Sequence, residues 1–361
     1  MQVLTLCLDN KIVASNLSAA IGREFILNKI DKALVVRGLV INPPLFLAPM
    51  AGLTHLALRR IIKEYGGVGM LSTEMLSARR LPGENPSLSP FLVRTELEAP
   101  LSYQIFVSTP ADIAPALEAL ARCGADAVDI NMGCPAPKLR MQRAGAALMA
   151  EQDVARAVVA EARRRTELPL SVKIRLGEEL NAAKLRDFCL MLEGEGIDLL
   201  TVHARLRGES FQRKPHWEWI GMVKQWLSIP VVANGGIFTV EDASRCLAVS
   251  GADGLMIGRG AAERPWIFAQ FARELYGLTL PRPEIDLPAL YHRFWQLLEE
   301  HFPAERRLGR LKQFTHYFQA NYAFGHSLAS MIQSADSMDE ARSRAECFLA
   351  SNRPRGLGFN G

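Results

Sequence analysis

Between residues 45 and 276 the chain alternates eight short apolar runs with amphipathic stretches, and this alternation limits its fold more than any other feature. The runs occupy 45–50, 68–73, 101–106, 127–131, 170–175, 199–203, 231–234 and 254–258, each bounded by Gly, Pro or polar residues. Runs this short, apolar almost throughout, suit strands covered on both faces. The stretches 56–64, 111–122, 153–165, 182–193, 217–226 and 241–249 carry helical spacing; 111–122 opens behind Thr109-Pro110, a capping residue followed by one pre-set for the first turn. Eight strand–helix units predict an α/β fold closed as a (β/α)8 TIM barrel. A doubly wound open sheet alternates in the same way. However, no G-x-G-x-x-G follows the first run, and polar groups at nearly every run end favour closure.

Beyond the barrel, Pro281-Arg282-Pro283 punctuates the chain, and 287–302, 310–322 and 338–350 read as helices. Three regions are therefore expected: an extension over 1–40 without an assigned role, carrying a helix over 19–32; a catalytic barrel over 41–280; and an all-helical domain over 281–361. The helix over 310–322 and its lead-in hold Arg306, Arg307, Arg310 and Lys312, with Phe314, His316, Tyr317 and Phe318 close by. That pattern is either a solvated basic face above core aromatics or a nucleic-acid surface pairing phosphate neutralisation with aromatic contacts. A net charge of +4 is compatible with an anionic partner without requiring one. No uncharged apolar run reaches membrane-spanning length. The apolar opening at 3–8 is broken by Asp9 and lacks a basic start, so no secretory leader is expected. Six scattered cysteines without a C-x-x-C pair point to a reducing compartment, hence a cytoplasmic protein, taken as a monomer. Cys123, Cys189 and Cys246 read as small buried hydrophobes; Cys134 differs because it lies on the loop just past a strand.

The strand ends carry the chemistry. Asn234-Gly235-Gly236 and Gly258-Arg259-Gly260 close the last two runs, and glycines there let backbone N–H groups approach a phosphate, with Arg259 adding charge. Lys173 and Arg175 alternate with period two and so point the same way, toward the barrel mouth, because cations facing the helix layer would lack partners. His203 shares that rim, and Gln104 and Asn131 offer amides suited to a planar heterocycle. The rim has neither a carboxylate pair for glycoside chemistry nor a cluster suited to a metal, so no metal is expected. A phosphorylated planar cofactor fits this set, and FMN fits best, with Lys173 near the pyrimidine edge of the ring to stabilise negative charge on its reduced form.

These residues resemble the tRNA-dihydrouridine synthase family, FMN-dependent (β/α)8 barrels with a C-terminal helical domain. The resemblance covers roughly 45–268 strongly and 308–322 more weakly. It is carried by Ala48-Pro49-Met50-Ala51-Gly52, Ser72-Thr73-Glu74-Met75, Gln104, Asn131-Met132-Gly133-Cys134-Pro135, Lys173-Ile174-Arg175, His203-Ala204-Arg205, Asn234-Gly235 and Met256-Ile257-Gly258-Arg259-Gly260 with Pro265-Trp266. The run Asn131 to Pro135 together with Lys173-Ile174-Arg175 is the specific part. The resemblance implies that FMN, reduced by NADPH (or NADH), passes hydride to C6 of a uracil ring in tRNA while Cys134 protonates C5. A free thiol has a pKa of roughly 8.5 and is mostly protonated near neutrality, so it can serve as an acid. It further implies that Pro49, Met50, Gln104, Lys173, His203, Asn234, Gly235, Gly258 and Arg259 hold the cofactor. Asn131 and Arg175 would hold the base, and the segment with Arg310 and Lys312 the tRNA backbone. Three departures from the family pattern are His203-Ala204-Arg205-Leu206 in place of His-Gly-Arg-Thr, Phe211 where a Tyr is common, and a loop after Cys134 that is less rich in glycine. They bear on substrate positioning more than on the cofactor. Two other readings are an FMN-dependent barrel reductase of a small enone or dihydropyrimidine-type substrate, which has no use for a basic helix, and a flavin- or RNA-binding protein without turnover.

Overall fold

The structure is a computed structural model that describes residues 33–86 and 89–355. Cys7 and the helix expected over 19–32 lie outside the described residues. Among the described residues ten strands occur: β1 (Leu34–Val36), β2 (Leu39–Ile41), β3 (Leu45–Leu47), β4 (Leu71–Ser77), β5 (Leu101–Phe106), β6 (Ala127–Met132), β7 (Leu170–Arg175), β8 (Leu199–His203), β9 (Val231–Asn234) and β10 (Gly254–Ile257). The helices are α1 (Leu56–Tyr65), α2 (Ile113–Arg122), α3 (Pro137–Met141), α4 (Gln152–Arg165), α5 (Ala182–Gly194), α6 (Trp217–Trp226), α7 (Val240–Ser250), α8 (Arg259–Glu263), α9 (Ile267–Glu274), α10 (Leu287–His301), α11 (Ala304–Phe318), α12 (Gly325–Gln333) and α13 (Met338–Ser351).

All eight apolar runs become strands of one parallel sheet, in the order β3-β10-β9-β8-β7-β6-β5-β4. The ring closes between β3 and β4 through the Phe46–Met70 bridge, with the Leu47 N–H donating to the Met70 carbonyl at 2.9 Å. This is the expected barrel. Alternation sorts each strand's side chains. Val128, Ile130, Val172, Ile174, Leu200 and Val202 join the outer core against the helices. Phe46, Ala127, Leu199, Val232 and Met256 instead form a separate apolar plug inside the barrel. Above that plug the same inward faces turn polar, with Gln104, Asp129, Asn131, Ser171, Lys173, His203 and Asn234.

The antiparallel hairpin β1–β2 was not foreseen. Its tip, Arg37-Gly38, takes left-handed backbone (φ 47° and 84°), the conformation a two-residue hairpin turn needs. Val36 and Ile41 add to the inner plug, and Arg37 pairs with Glu167 at 2.6 Å and Asp198 at 3.4 Å, both just before strands β7 and β8. The hairpin therefore covers the end of the barrel opposite the polar rim.

The helical region begins with α10, which packs on α1 and pairs Arg293 with Glu64 at 2.8 Å. Its core is aromatic: Phe294 stacks on Phe314 at 3.9 Å between centroids, and Tyr291 bonds Thr315 through their hydroxyls at 2.6 Å. Helix α11 begins at Ala304 rather than at residue 310, and α12 had no counterpart among the expected helices.

Candidate active site at the barrel mouth

One cavity of about 330 Å³ opens at the C-terminal ends of the strands. Pro49, Met50, Gln104, Asn131, Cys134, Lys173, Arg175, His203, Asn234, Gly235, Gly258 and Arg259 all line it. Residues more than two hundred positions apart in sequence thus face one space because each follows or ends a barrel strand.

A buried chain of hydrogen bonds runs beneath its floor. Asp129 accepts from Ser171 Oγ at 2.5 Å and from Gln104 Nε2 at 2.7 Å. Gln104 Oε1 accepts from Asn131 Nδ2 at 2.9 Å, and Asn131 Oδ1 accepts from the backbone N–H groups of Gly133 (3.2 Å) and Cys134 (3.0 Å). Burial raises the Asp129 carboxyl above the usual range, opposed by its bonds to Ser171 and Gln104 and by the Lys173 charge. The chain orients both amides and shapes the turn that carries the thiol. On its other side that turn is tied by the Ala146 N–H, which donates to the Cys134 carbonyl at 3.0 Å. Sequence reasoning overlooked Asp129 and Ser171. The available signal was alternation, since Asp129 sits two residues before Asn131 on the same strand and Ser171 two before Lys173.

The rim is cationic. Lys173 lines the cavity and, among the described residues, has no ion-pair partner; burial pulls its pKa down to about 8, with Asp129 opposing and Arg175 reinforcing the fall. Arg175 donates to the Leu206 carbonyl at 2.9 Å. Arg259 likewise has no carboxylate within ion-pairing distance among the described residues; its guanidinium lies 4.5 Å from the centroid of Phe211 and 5.2 Å from that of Phe238. His203 is buried, and its pKa falls well below the ordinary value through burial first and then the charges of Lys173, Arg175, Arg205 and Arg259. It is neutral near pH 7. Arg205 Nη1 approaches its Nε2 at 3.3 Å, and since arginine only donates, Nε2 accepts and Nδ1 carries the proton. Gly235 has φ 112°, and a Cβ there would lie 2.6 Å from His203 Cδ2, so only glycine fits beside the ring.

Phe211 was noted in sequence only for the hydroxyl it lacks. It stacks on His203 (6.0 Å, 12°) and sits within cation–π distance of Arg175, Arg205 and Arg259, so it forms a partial roof over the cationic rim.

Arg310 and Lys312 do not line the cavity. Arg310 corrects the expectation of a backbone contact: it is 9% exposed, with its guanidinium 4.6 Å from the Phe302 centroid and one nitrogen donating to the Arg306 carbonyl. Arg307 is also engaged, donating to the carbonyls of Phe302 (2.7 Å) and Glu299 (3.0 Å) at the end of α10. Arg306 is exposed and Lys312 partly so. Of the aromatics, Phe314 and Phe318 are core, His316 is exposed, and Tyr317 lines the cavity together with Gln313. The helix thus has a core face with Phe314 and Phe318 and exposed positions at Arg306 and His316.

A family model described as dihydrouridine synthase matches residues 46–350. The chain is 36% identical over 269 residues to a probable tRNA-dihydrouridine synthase of Rhodobacter capsulatus, covering 73% of this chain and 80% of that protein. It is 34% identical over 285 residues to a tRNA-dihydrouridine(16) synthase of Pseudomonas putida, covering 76% and 88%. Among solved structures, histamine dehydrogenase from Rhizobium sp. 4-9 superposes with a TM-score of 0.55 at 14% identity, over 70% of this chain and 48% of that one. A 2-naphthoyl-CoA reductase superposes with a TM-score of 0.53 at 11% identity, over 68% and 52%. At these identities the structural likeness is one of fold.

Proposed function

The chain belongs to the dihydrouridine synthase family, and on that footing we propose that its barrel mouth holds FMN beside a uridine drawn out of tRNA, with NADPH or NADH as the source of electrons. The enzyme is an oxidoreductase that reduces the C5=C6 bond of a tRNA uridine to dihydrouridine. The observation that carries the cofactor reading is convergence. Lys173 and Arg259, neither with an ion-pair partner among the described residues, a neutral His203 and a glycine-only position at Gly235 surround one cavity that Cys134 also lines.

The residues fit a flavin mononucleotide. Gly235, Gly258 and Arg259 would take its phosphate, Lys173 the electron-rich pyrimidine edge, and the backbone of Pro49 and Met50, with Gln104 and His203, the ring and its chain. Bound there, FMN would supply hydride chemistry toward C6 of the uracil. The protein's own part is to present a proton at Cys134 Sγ for C5 and to fix that thiol through Asn131. Asn131 Oδ1 is used in the loop and one Nδ2 proton goes to Gln104 on β5, so the second Nδ2 proton remains for the base. Arg175, which lines the cavity with one nitrogen bonded to the Leu206 carbonyl, would hold a uracil carbonyl. The base must leave its stack to enter so narrow a mouth. Arg306, exposed on α11, and Lys312, partly exposed there, would meet the tRNA backbone; the buried Arg310 would not.

Spectroscopy tests this directly. Purified protein is expected to bind FMN, to lose the flavin absorbance on anaerobic addition of NADPH, and to regain it when unmodified tRNA is added. Protein that takes up no FMN contradicts the reading.

A further inference from the structure

We propose that helix α11 is a wall of the cofactor site and that Gln313 is a positioning residue, fixing the loop after β3 against which the cofactor lies. This rests on the reading of the cavity as an FMN site, and it assigns part of the helical region to the cofactor rather than to RNA.

The loop is pinned from two sides. Gln313 Nε2, on α11, donates to the Ala51 carbonyl at 2.8 Å. The neighbouring Gly52 N–H donates to the Glu74 carboxylate on β4. Gly52 itself has φ 75°, which strains any other residue, and a Cβ there would lie 1.9 Å from Gln313 Oε1, so a side chain at this position would push the Gln313 amide off Ala51. Pro49, Met50 and Ala51 line the cavity from this loop, and Gln313 and Tyr317 line it from α11. One turn before Gln313, the buried Arg310 lies within electrostatic reach of Glu74 and helps hold its carboxyl down against the upward push of burial. A second attachment lies just past α11, where Asn321 Nδ2 donates to the Glu263 carbonyl at 2.8 Å and so holds the end of the short helix that begins with Arg259. Strands β3 and β10 are neighbours in the ring, so these two contacts hold segments that follow adjacent strand ends.

Gln313 as a clamp on Ala51 makes a prediction that an RNA-binding surface does not. Gln313→Ala and the isosteric Gln313→Glu, which puts an acceptor against an acceptor, are expected to weaken FMN binding by about 3- to 10-fold in fluorescence titrations of the full chain. Their affinity for tRNA, measured by gel shift, is expected to stay unchanged, as is the unfolding temperature of the cofactor-free protein. Gly52→Ala is expected to weaken FMN binding as well, and the double variant Gly52→Ala/Gln313→Ala to be less impaired than the two effects multiplied, because the clash partner is gone. The inference is overturned if both Gln313 variants bind FMN as the wild type does. It is also overturned if FMN and tRNA affinities fall together with thermal stability, since general loosening gives that result. Wild-type protein that binds no FMN contradicts the cofactor reading itself, not this inference alone.

Discussion

Lys173 carries the clearest pH signature in the site. Its folded pKa of about 8 lies below the ordinary 10.5. Below pH 8 it is charged in both folded and unfolded chains, and its burial weakens the fold. Between about 8 and 10.5 the folded lysine is neutral while the unfolded one still holds its proton, so the empty protein gains stability from this group as pH rises through that window. Affinity for FMN runs the other way, because the ligand favours the ammonium. Titrations across the pH range are expected to show FMN dissociation constants rising above pH 8 for the wild type. Lys173→Met is expected to bind more weakly at neutrality and to lack that rise. Cys134→Ala is expected to bind FMN and oxidise NADPH while dihydrouridine formation falls by roughly 10²- to 10⁴-fold, the usual worth of a positioned acid; full activity would show that another group gives the proton. The rim residues could be read from sequence because each ends a strand and alternation fixes its direction. Arg310 could not, since an arginine on an amphipathic helix carries no sign of which flank meets the barrel. Asp129 looked like any polar residue in a strand until its bonds to Gln104 and Ser171 showed what it orients.

The elements are held in register by a few buried polar links, and these are where single changes are costly. Arg59 on α1 pairs with Glu98 at 2.6 Å, both side chains almost fully buried, and donates to the carbonyls of Thr54 (2.8 Å) and Val93 (2.9 Å). This ties the first helix to the turn before β5. Glu98→Ala leaves a buried guanidinium without its counter-charge and is expected to lower unfolding free energy by about 3–5 kcal/mol in denaturant titrations; a loss under 1 kcal/mol would mean that water reaches Arg59. At the β9 turn, Gly235→Ala is expected to fold but to bind FMN poorly, because its Cβ collides with His203. The barrel strands and their helices were legible because their patterns are long and repeat. The β1–β2 hairpin was not: its strands are three residues each and draw their stability from covering the inner plug, a long-range contact with no local signature.

At the scale of the molecule, the barrel lines most of the cavity, and the helical region adds Gln313 and Tyr317 to its wall while exposing Arg306 to solvent. That division was only half legible. Composition was only compatible with an anionic partner, and the Arg306–Lys312 stretch read equally as a solvated face or an RNA surface, because which cations face outward depends on how α11 docks. Replacing Arg306 and Lys312 together is expected to weaken tRNA binding and to reduce the slope of log affinity against log salt by about 1–2, the loss of two phosphate contacts. Arg310→Ala is expected to lower stability instead, with little change in that slope. The central claim is that this cavity reduces a uridine of tRNA with FMN as its cofactor. Purified protein loaded with FMN should be incubated with NADPH and unmodified tRNA, and the digested nucleosides analysed by mass spectrometry. Dihydrouridine at a defined position, absent without FMN and formed at least about 10²-fold more slowly with Cys134→Ala, is the expected result; flavin-loaded protein that consumes NADPH yet leaves every uridine intact would contradict the claim.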